Sequence, residues 1–213
     1  PDRVRMVDCH WANEFRKRRI LAQQILVPWH LRRLRIDAFY AAGNVLPLAY
    51  HACPTVLKVS TMHHVHTPEL IGRARTMYRT AMIGASARGA DLVLANSGST
   101  GRDIVKHLHV DPARVEVLHE AIDARFTEAP DAETARGIMR QQFGIPRPYF
   151  LFVSVLWKYK QPEELYTAYK AFRGTRRDVP DLVYVGDDEL GIGREIAERA
   201  RQDALSDFVH LTG

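Results

Sequence analysis

The chain alternates between two hydrophobic rhythms. Short, nearly unbroken apolar runs such as "AFYA", "TVLKV", "LVLA", "YFLFVSVLW" and "LVYV" are separated by stretches in which apolar residues recur every three or four positions. The runs predict strands of a parallel sheet buried on both faces, and the spaced stretches predict helices laid over it. "RRILAQQILVPWHLRRLR" predicts one or two amphipathic helical segments broken near Pro28, with Ile20, Leu21, Ile25, Leu26, Leu31 and Leu34 on the apolar side. "IDAFYA" and "TVLKVST" predict short buried strands, and the histidine-rich "MHHVHTPEL" a polar loop. A helix is predicted over 71–88, a strand over "ADLVLANS", and a helix over "TGRDIVKHLHV" capped by Ser97 or Ser99. Asp111-Pro112 marks a turn before a further strand, Val115–His119.

From Thr127 to Arg140 the sequence is charged and alanine-rich, which predicts a linker or a bridging helix. The alternation then restarts with a buried strand Tyr149–Val155, a helix Pro162–Arg173, a strand Leu182–Gly186, a helix Leu190–Ala204 and a strand Phe208–Leu211. Two partial α/β units are expected, residues 1–126 and 147–213, with 127–146 joining them. A parallel sheet as small as the second unit's cannot cover both of its faces, so that unit reads as part of something longer.

Composition narrows the function only modestly. With 213 residues, 46% hydrophobic and 26% charged, the chain has the balance of a soluble globular protein. No apolar run approaches the roughly 20 residues of a membrane span, and "PDRVRMVDCHW" has no apolar signal core. Cys9 and Cys53 have no CxxC spacing, which points to buried thiols in a reducing, cytoplasmic setting. The net charge of +5 leaves room for an anionic partner. Basic residues are scattered without an aromatic-basic stripe, which argues against nucleic acid. The basic helix around Pro28 leaves open a peripheral contact with anionic membrane, although soluble helices carry the same charges.

The second unit's first strand empties into Lys158 and Lys160 immediately before a helix that opens with Gln161-Pro162. Proline suits the first helical position, and ligands of open parallel sheets gather beyond the carboxyl ends of strands, where helix amino termini point. Two lysines beside free N–H groups suit a phosphate. Spacing alone favours the plainer alternative, that both amines simply reach solvent.

The order and spacing of five segments resembles group-1 glycosyltransferases, the retaining GT-B type of glycosyltransferase family four. "YFLFVSVLWKYKQPEELYTAYKAF" is similar to that family's strand, basic turn and helix ending in Ala-Phe. "ADLVLANSGSTGRDIVKHLHVDPARVEVLHEAID" resembles its serine-ended strand, its "di" helix and its Asn-Gly-Val-Asp turn. "DLVYVGDDEL" and "DFVHLTG" resemble the strands that follow. "VPWHLRRLRIDAFYAAGNVLPL" with "PTVLKVSTMHHVHTPEL" resembles the acceptor domain of enzymes that build surface polysaccharides. The resemblance implies an α/β fold of GT-B type: two Rossmann-like domains, both incomplete, with the acceptor-side domain in 1–126 and the nucleotide-sugar domain in 147–213.

It also implies roles. Lys160 matches the lysine that contacts the donor diphosphate and stabilises charge on the leaving phosphate. Ser154-Val155 replaces the usual Gly-Arg, so a bidentate phosphate ligand is absent and Lys158 is the candidate substitute. His63 matches the histidine that approaches the donor sugar, as a hydroxyl ligand or in proton movement; a surface histidine cluster is the alternative. His64 stands where many relatives have aspartate. Ser97 matches the family's serine, with helix capping as the rival role, and Gly186-Asp187 closes a strand at the nucleotide edge, with turn chemistry as its rival. Glu120-Ala121-Ile122-Asp123 lacks the family glycine. Gly191 and Gly193 form no dinucleotide fingerprint. The family's glycine-rich loop is expected before Pro1 and its Glu-x7-Glu segment after Gly213, so residues 1–213 alone are expected to be inactive.

The expected catalytic residue is thus His63, and the expected donor-binding residues are Lys160, Ser154, Gly186 and Ser97. No metal and no cofactor are expected, because Lys160 and helix N–H groups take the place of a divalent cation at the diphosphate. The expected reaction moves a hexose, with mannose one candidate, from a nucleotide-sugar to a glycan or lipid-linked acceptor with retention. A GT-B epimerase or phosphorylase, and a non-catalytic partner subunit, remain open as alternatives.

Overall fold

The computed structural model describes residues 16–48, 53–128, 130–176 and 178–212. The chain divides into two compact units, the first ending at Ala121 and the second running from Ile122.

The first unit contains a four-stranded parallel sheet whose strands lie in chain order: β1 (Phe39–Ala41), β2 (Thr55–Val59), β3 (Leu92–Ala95) and β4 (Val115–Val117). Among the described residues five α-helices accompany it: α1 (Arg16–Arg33), α2 (His63–His66), α3 (Pro68–Ile71), α4 (Arg73–Gly89) and α5 (Gly98–Leu108). Leu57, Val59, Val93 and Ala95 from the central strands are fully buried against Ala87, Ala90, Ile104 and Leu108. Continuous apolar strands closed between helices are what a parallel sheet requires.

The second unit holds α6 (Ala132–Phe143), α7 (Pro162–Thr175), α8 (Ile192–Gln202) and a three-stranded parallel sheet in the order β5 (Tyr149–Val153), β6 (Asp181–Val185), β7 (Val209–Leu211). Its core joins Tyr166 and Tyr169 of α7, Ile192, Ile196 and Ala200 of α8, and Leu182 and Tyr184 of β6. At the amino ends of the strands, the fully buried Asp181 carboxylate takes Arg147 Nε at 2.7 Å and His210 Nε2 at 2.9 Å. A buried carboxylate persists only with such partners.

Four expectations are corrected. β5 is not buried: Phe150, Leu151 and Val153 are 46%, 55% and 68% exposed. Among the described residues β5 pairs with β6 alone, which leaves those side chains uncovered. α1 runs unbroken through Pro28. "MHHVHTPEL" forms the single-turn helices α2 and α3, the second opened by Pro68 in its first turn. Cys53 is half-buried and makes no disulfide, while Cys9 lies outside the described residues. The charged stretch after Thr127 contains α6, whose start is capped by Asp131 and whose end is closed by the left-handed Gly144.

Candidate functional site

In the second unit the candidate site grows from the end of β5. The chain beyond Val153 keeps bonding to the β6 side: Ser154 N–H donates to Val185 O and Leu156 N–H to Asp187 O, each at 3.0 Å. Gly186, with φ of +142°, passes directly beneath; a β-carbon there would lie 2.1 Å from Ser154 O. Only glycine allows that approach. Ser154 and Gly186 are therefore brought together through their backbones.

The chain then turns through one 3-10 turn, Lys158–Lys160, and enters α7 through Gln161, whose φ of 58° is left-handed. Both lysines are exposed. Lys160 Nζ sits 5.2 Å from the centre of the Tyr159 ring, a cation–π distance that biases the amine without sequestering it. The buried Tyr184 hydroxyl donates to Pro162 O at 2.9 Å and fixes the first residue of α7 over the end of β6. Burial pushes the Tyr184 hydroxyl's pKa well above its ordinary value, so it remains a donor.

The three helix tips of this unit differ. Asp131 Oδ1 accepts from the N–H groups of Glu133 and Thr134 at the start of α6. The Asp188 carboxylate accepts from Gly193 and Arg194 N–H at the start of α8, at 3.0 and 3.1 Å. Each of those tips already holds an anion, and a second would be repelled. α7 opens without a side-chain cap and has Lys158 and Lys160 beside it. Glu163 and Glu164 occupy its first turn as well. A depression of 280 Å³ bordered by Leu156, Gly186, Asp188, Gly193 and Arg194 lies at the carboxyl ends of β5 and β6, where parallel sheets receive ligands.

In the first unit, His63 begins α2 and is half-buried. His64 is not part of a surface cluster: it is 3% exposed, and its Nε2 has no hydrogen-bond partner among the described residues. Burial, then the charges of Arg79, His63 and His66, hold its pKa below the usual histidine range. Among the described residues no group of three or more His, Cys, Asp or Glu is arranged to hold a metal ion.

Ser97 caps α5, its Oγ accepting from Thr100 N–H at 3.1 Å. The structure thus gives Ser97 a definite local task. A polar chain that sequence reasoning missed stitches the loops after three strands. Asn44 Oδ1 accepts from Ser60 N–H at 2.9 Å, Asn96 Nδ2 donates to Ser60 O at 3.0 Å, and Thr100 Oγ1 donates to Asn96 Oδ1 at 2.9 Å. His63 follows Ser60 by three residues, so this chain anchors the base of its segment. Lys58 Nζ reaches Glu120 Oε1 at 2.6 Å, tying β2 to the turn that lacks the family glycine.

A model of Glycosyltransferase Family 4 matches residues 2–126, more than half of the chain. The chain belongs to that family. The D-inositol 3-phosphate glycosyltransferase of Salinispora arenicola is 32% identical over 143 residues, 63% of this chain and 32% of the relative. HepE of Anabaena, solved with UDP-glucose, superposes with a TM-score of 0.66 at 19% identity, over 91% of this chain and 53% of HepE. WaaG, a glycosyltransferase involved in lipopolysaccharide biosynthesis, gives 0.68 at 17% identity, over 94% and 55%. These likenesses establish the GT-B fold for this Family 4 chain, which spans a third to about half the length of these proteins.

Proposed function

We propose that the protein containing this chain is a retaining glycosyltransferase that moves a hexosyl group from a nucleotide-sugar to a glycan or lipid-linked acceptor in surface polysaccharide biosynthesis. The observation that carries the reading is the α7 tip, left uncapped and flanked by Lys158 and Lys160, while Asp131 and Asp188 close the tips of α6 and α8. Family membership and the UDP-glucose bound by HepE support the donor class.

In this reading the donor's diphosphate lies at the α7 tip, with Ser154 and Gly186 shaping the backbone beside it. The bond between the sugar's anomeric carbon and the phosphate oxygen breaks, and the electron pair leaves with the diphosphate. Lys160 and the α7 N–H groups stabilise that charge, the part otherwise taken by a divalent cation, so transfer proceeds without metal. The acceptor hydroxyl forms the new bond and its proton passes to the departing diphosphate oxygen; His63 is assigned to a hydroxyl of the donor sugar. Ser97 acts by holding α5. A cytoplasmic location with a peripheral anionic-membrane contact fits α1, which exposes Ile25 and Trp29 with Arg33 stacked 5.0 Å from the Trp29 ring; among the described residues no helix is long and apolar enough to cross a membrane.

Val155 in place of the family arginine favours a second reading, a non-catalytic partner subunit that binds glycan. Incubating the full-length protein with UDP- and GDP-hexoses, with and without lipid-linked and glycan acceptors, separates the readings. Acceptor-dependent transfer with the donor's anomeric configuration kept is the expected result. Donor turnover without acceptor into an isomeric nucleotide-sugar identifies an epimerase, and absence of turnover with every donor supports the partner subunit.

A further inference from the structure

The segment that carries His63 is a single helical turn, too short to hold its own conformation in water. α2 begins without a side-chain cap; Val65 packs against the core, the Thr67 hydroxyl donates to His63 O at 3.2 Å, and two histidines hold the turn from opposite sides. His64 is buried beneath it. On the outer side, His66 Nε2 lies 2.7 Å from Asp103 Oδ2, linking α2 to the middle of α5 across 37 residues of chain. A carboxylate only accepts, so His66 donates through Nε2. Asp103 is itself constrained: its side chain is only 20% exposed, and His107 one turn along α5 brings Nε2 to 4.0 Å from its other oxygen. The His66 and His107 rings meet edge to face with centres 6.3 Å apart, which walls in the carboxylate on its second side. α5 is fixed in turn by Ser97 at its start and by Ile104 and Leu108 in the core. His63 and His66 are three residues apart on one short turn, so a shift of His66 rotates His63 with it.

We propose that Asp103 is a positioning residue for His63, acting through His66: the Asp103–His66 bond sets the rotation of α2 and hence the aim of the His63 imidazole. The inference rests on the role given to His63 above. It differs from a purely structural role for Asp103, because the pair is peripheral and its loss leaves the buried core of the unit intact.

The test uses the full-length enzyme and whichever UDP- or GDP-hexose it turns over fastest. Asp103→Asn is expected to lower kcat at least tenfold, with KM for the donor within twofold and melting temperature unchanged. Asp103→Glu is expected to recover most of the loss. His66→Asn, which alters the same bond from its exposed end, should reproduce the kcat defect, and the double variant should be no worse than either single one. His66→Asn also decides the matter if Asp103→Asn proves unstable. Wild-type kcat in Asp103→Asn or His66→Asn beside an inactive His63→Ala overturns this proposal alone. A fully active His63→Ala overturns the role of His63 and this proposal with it.

Discussion

Gly186 and Ser154 approach one another so closely that a β-carbon on Gly186 would stand 2.1 Å from the Ser154 carbonyl oxygen and 3.2 Å from Val155 N. The clash is with backbone, which cannot swing aside as a long side chain does. Gly186→Ala also forces a φ of +142° on an L-residue, a conformation costing about 1–3 kcal/mol in its own right. The variant is expected to lose about 3 kcal/mol or more in urea unfolding and to weaken nucleotide binding, since the carbonyl it displaces belongs to the turn that carries Lys160. An unchanged unfolding midpoint would show that the two segments do not meet as described.

Asp181 offers a separate test of the second unit. Its carboxylate is fully buried and paired with Arg147 and His210, and Tyr169 nearby donates to Pro180 O at 3.0 Å. Removing the carboxylate leaves Arg147 and His210 facing a buried void at the base of the sheet. Asp181→Ala is expected to cost about 2–4 kcal/mol, moderated because Arg147 is partly exposed. Equilibrium unfolding reads this directly, and a loss below about 0.5 kcal/mol would mean the network carries no stability.

His64 makes stability depend on pH. Its pKa in the folded protein lies below the ordinary 6.5, so near neutrality neither folded nor unfolded His64 holds a proton. As pH falls through 6.5 the unfolded chain binds a proton that the folded protein refuses, and stability declines until the depressed folded pKa is reached. The depressed carboxylates Asp91, Asp123, Asp131 and Asp203 act lower, below their ordinary 3.8, and leave this window clear. Urea midpoints between about pH 7 and pH 5 are expected to fall in the wild type and to fall less in His64→Asn. Equal slopes in the two proteins would contradict a neutral, buried His64.

The α1 surface yields a binding expectation. Ile25, Trp29 and Arg33 follow one another at four-residue intervals, with Trp29 49% and Ile25 56% exposed. Vesicles containing phosphatidylserine should sediment the protein at low salt, and Trp29→Ala with Arg33→Ala should release it, since tryptophan seats at the headgroup level and arginine meets anionic lipid. Binding that is absent, or indifferent to salt, would remove the membrane contact from the account.

The sheets were legible in the sequence because β2, β3 and β6 are short, nearly unbroken apolar runs alternating with helical stretches, as in a doubly covered parallel sheet. The exposure of Phe150, Leu151 and Val153 was not, since the sequence of β5 resembles that of a strand flanked on both sides and among the described residues only β6 lies beside it. α2 was hidden by its composition: three of its four residues are histidines, and nothing local signals that His64 is buried. The Asn44–Ser60–Asn96 chain joins residues 16 and 36 positions apart, a separation that periodicity does not report. Ser97 was legible as a cap because capping is local. Lys160 was legible as a cation in a strand-to-helix turn, whereas the contrast among the tips of α6, α7 and α8 emerged only from the structure.

The most direct measurement is calorimetric titration of UDP and GDP into the full-length protein and its Lys160→Ala variant. A charge-assisted bond to phosphate is worth about 1.5–3 kcal/mol, so the variant is expected to bind the preferred nucleotide roughly 10- to 150-fold more weakly while melting at the wild-type temperature. Equal affinity in the two proteins would contradict a diphosphate held at the start of α7.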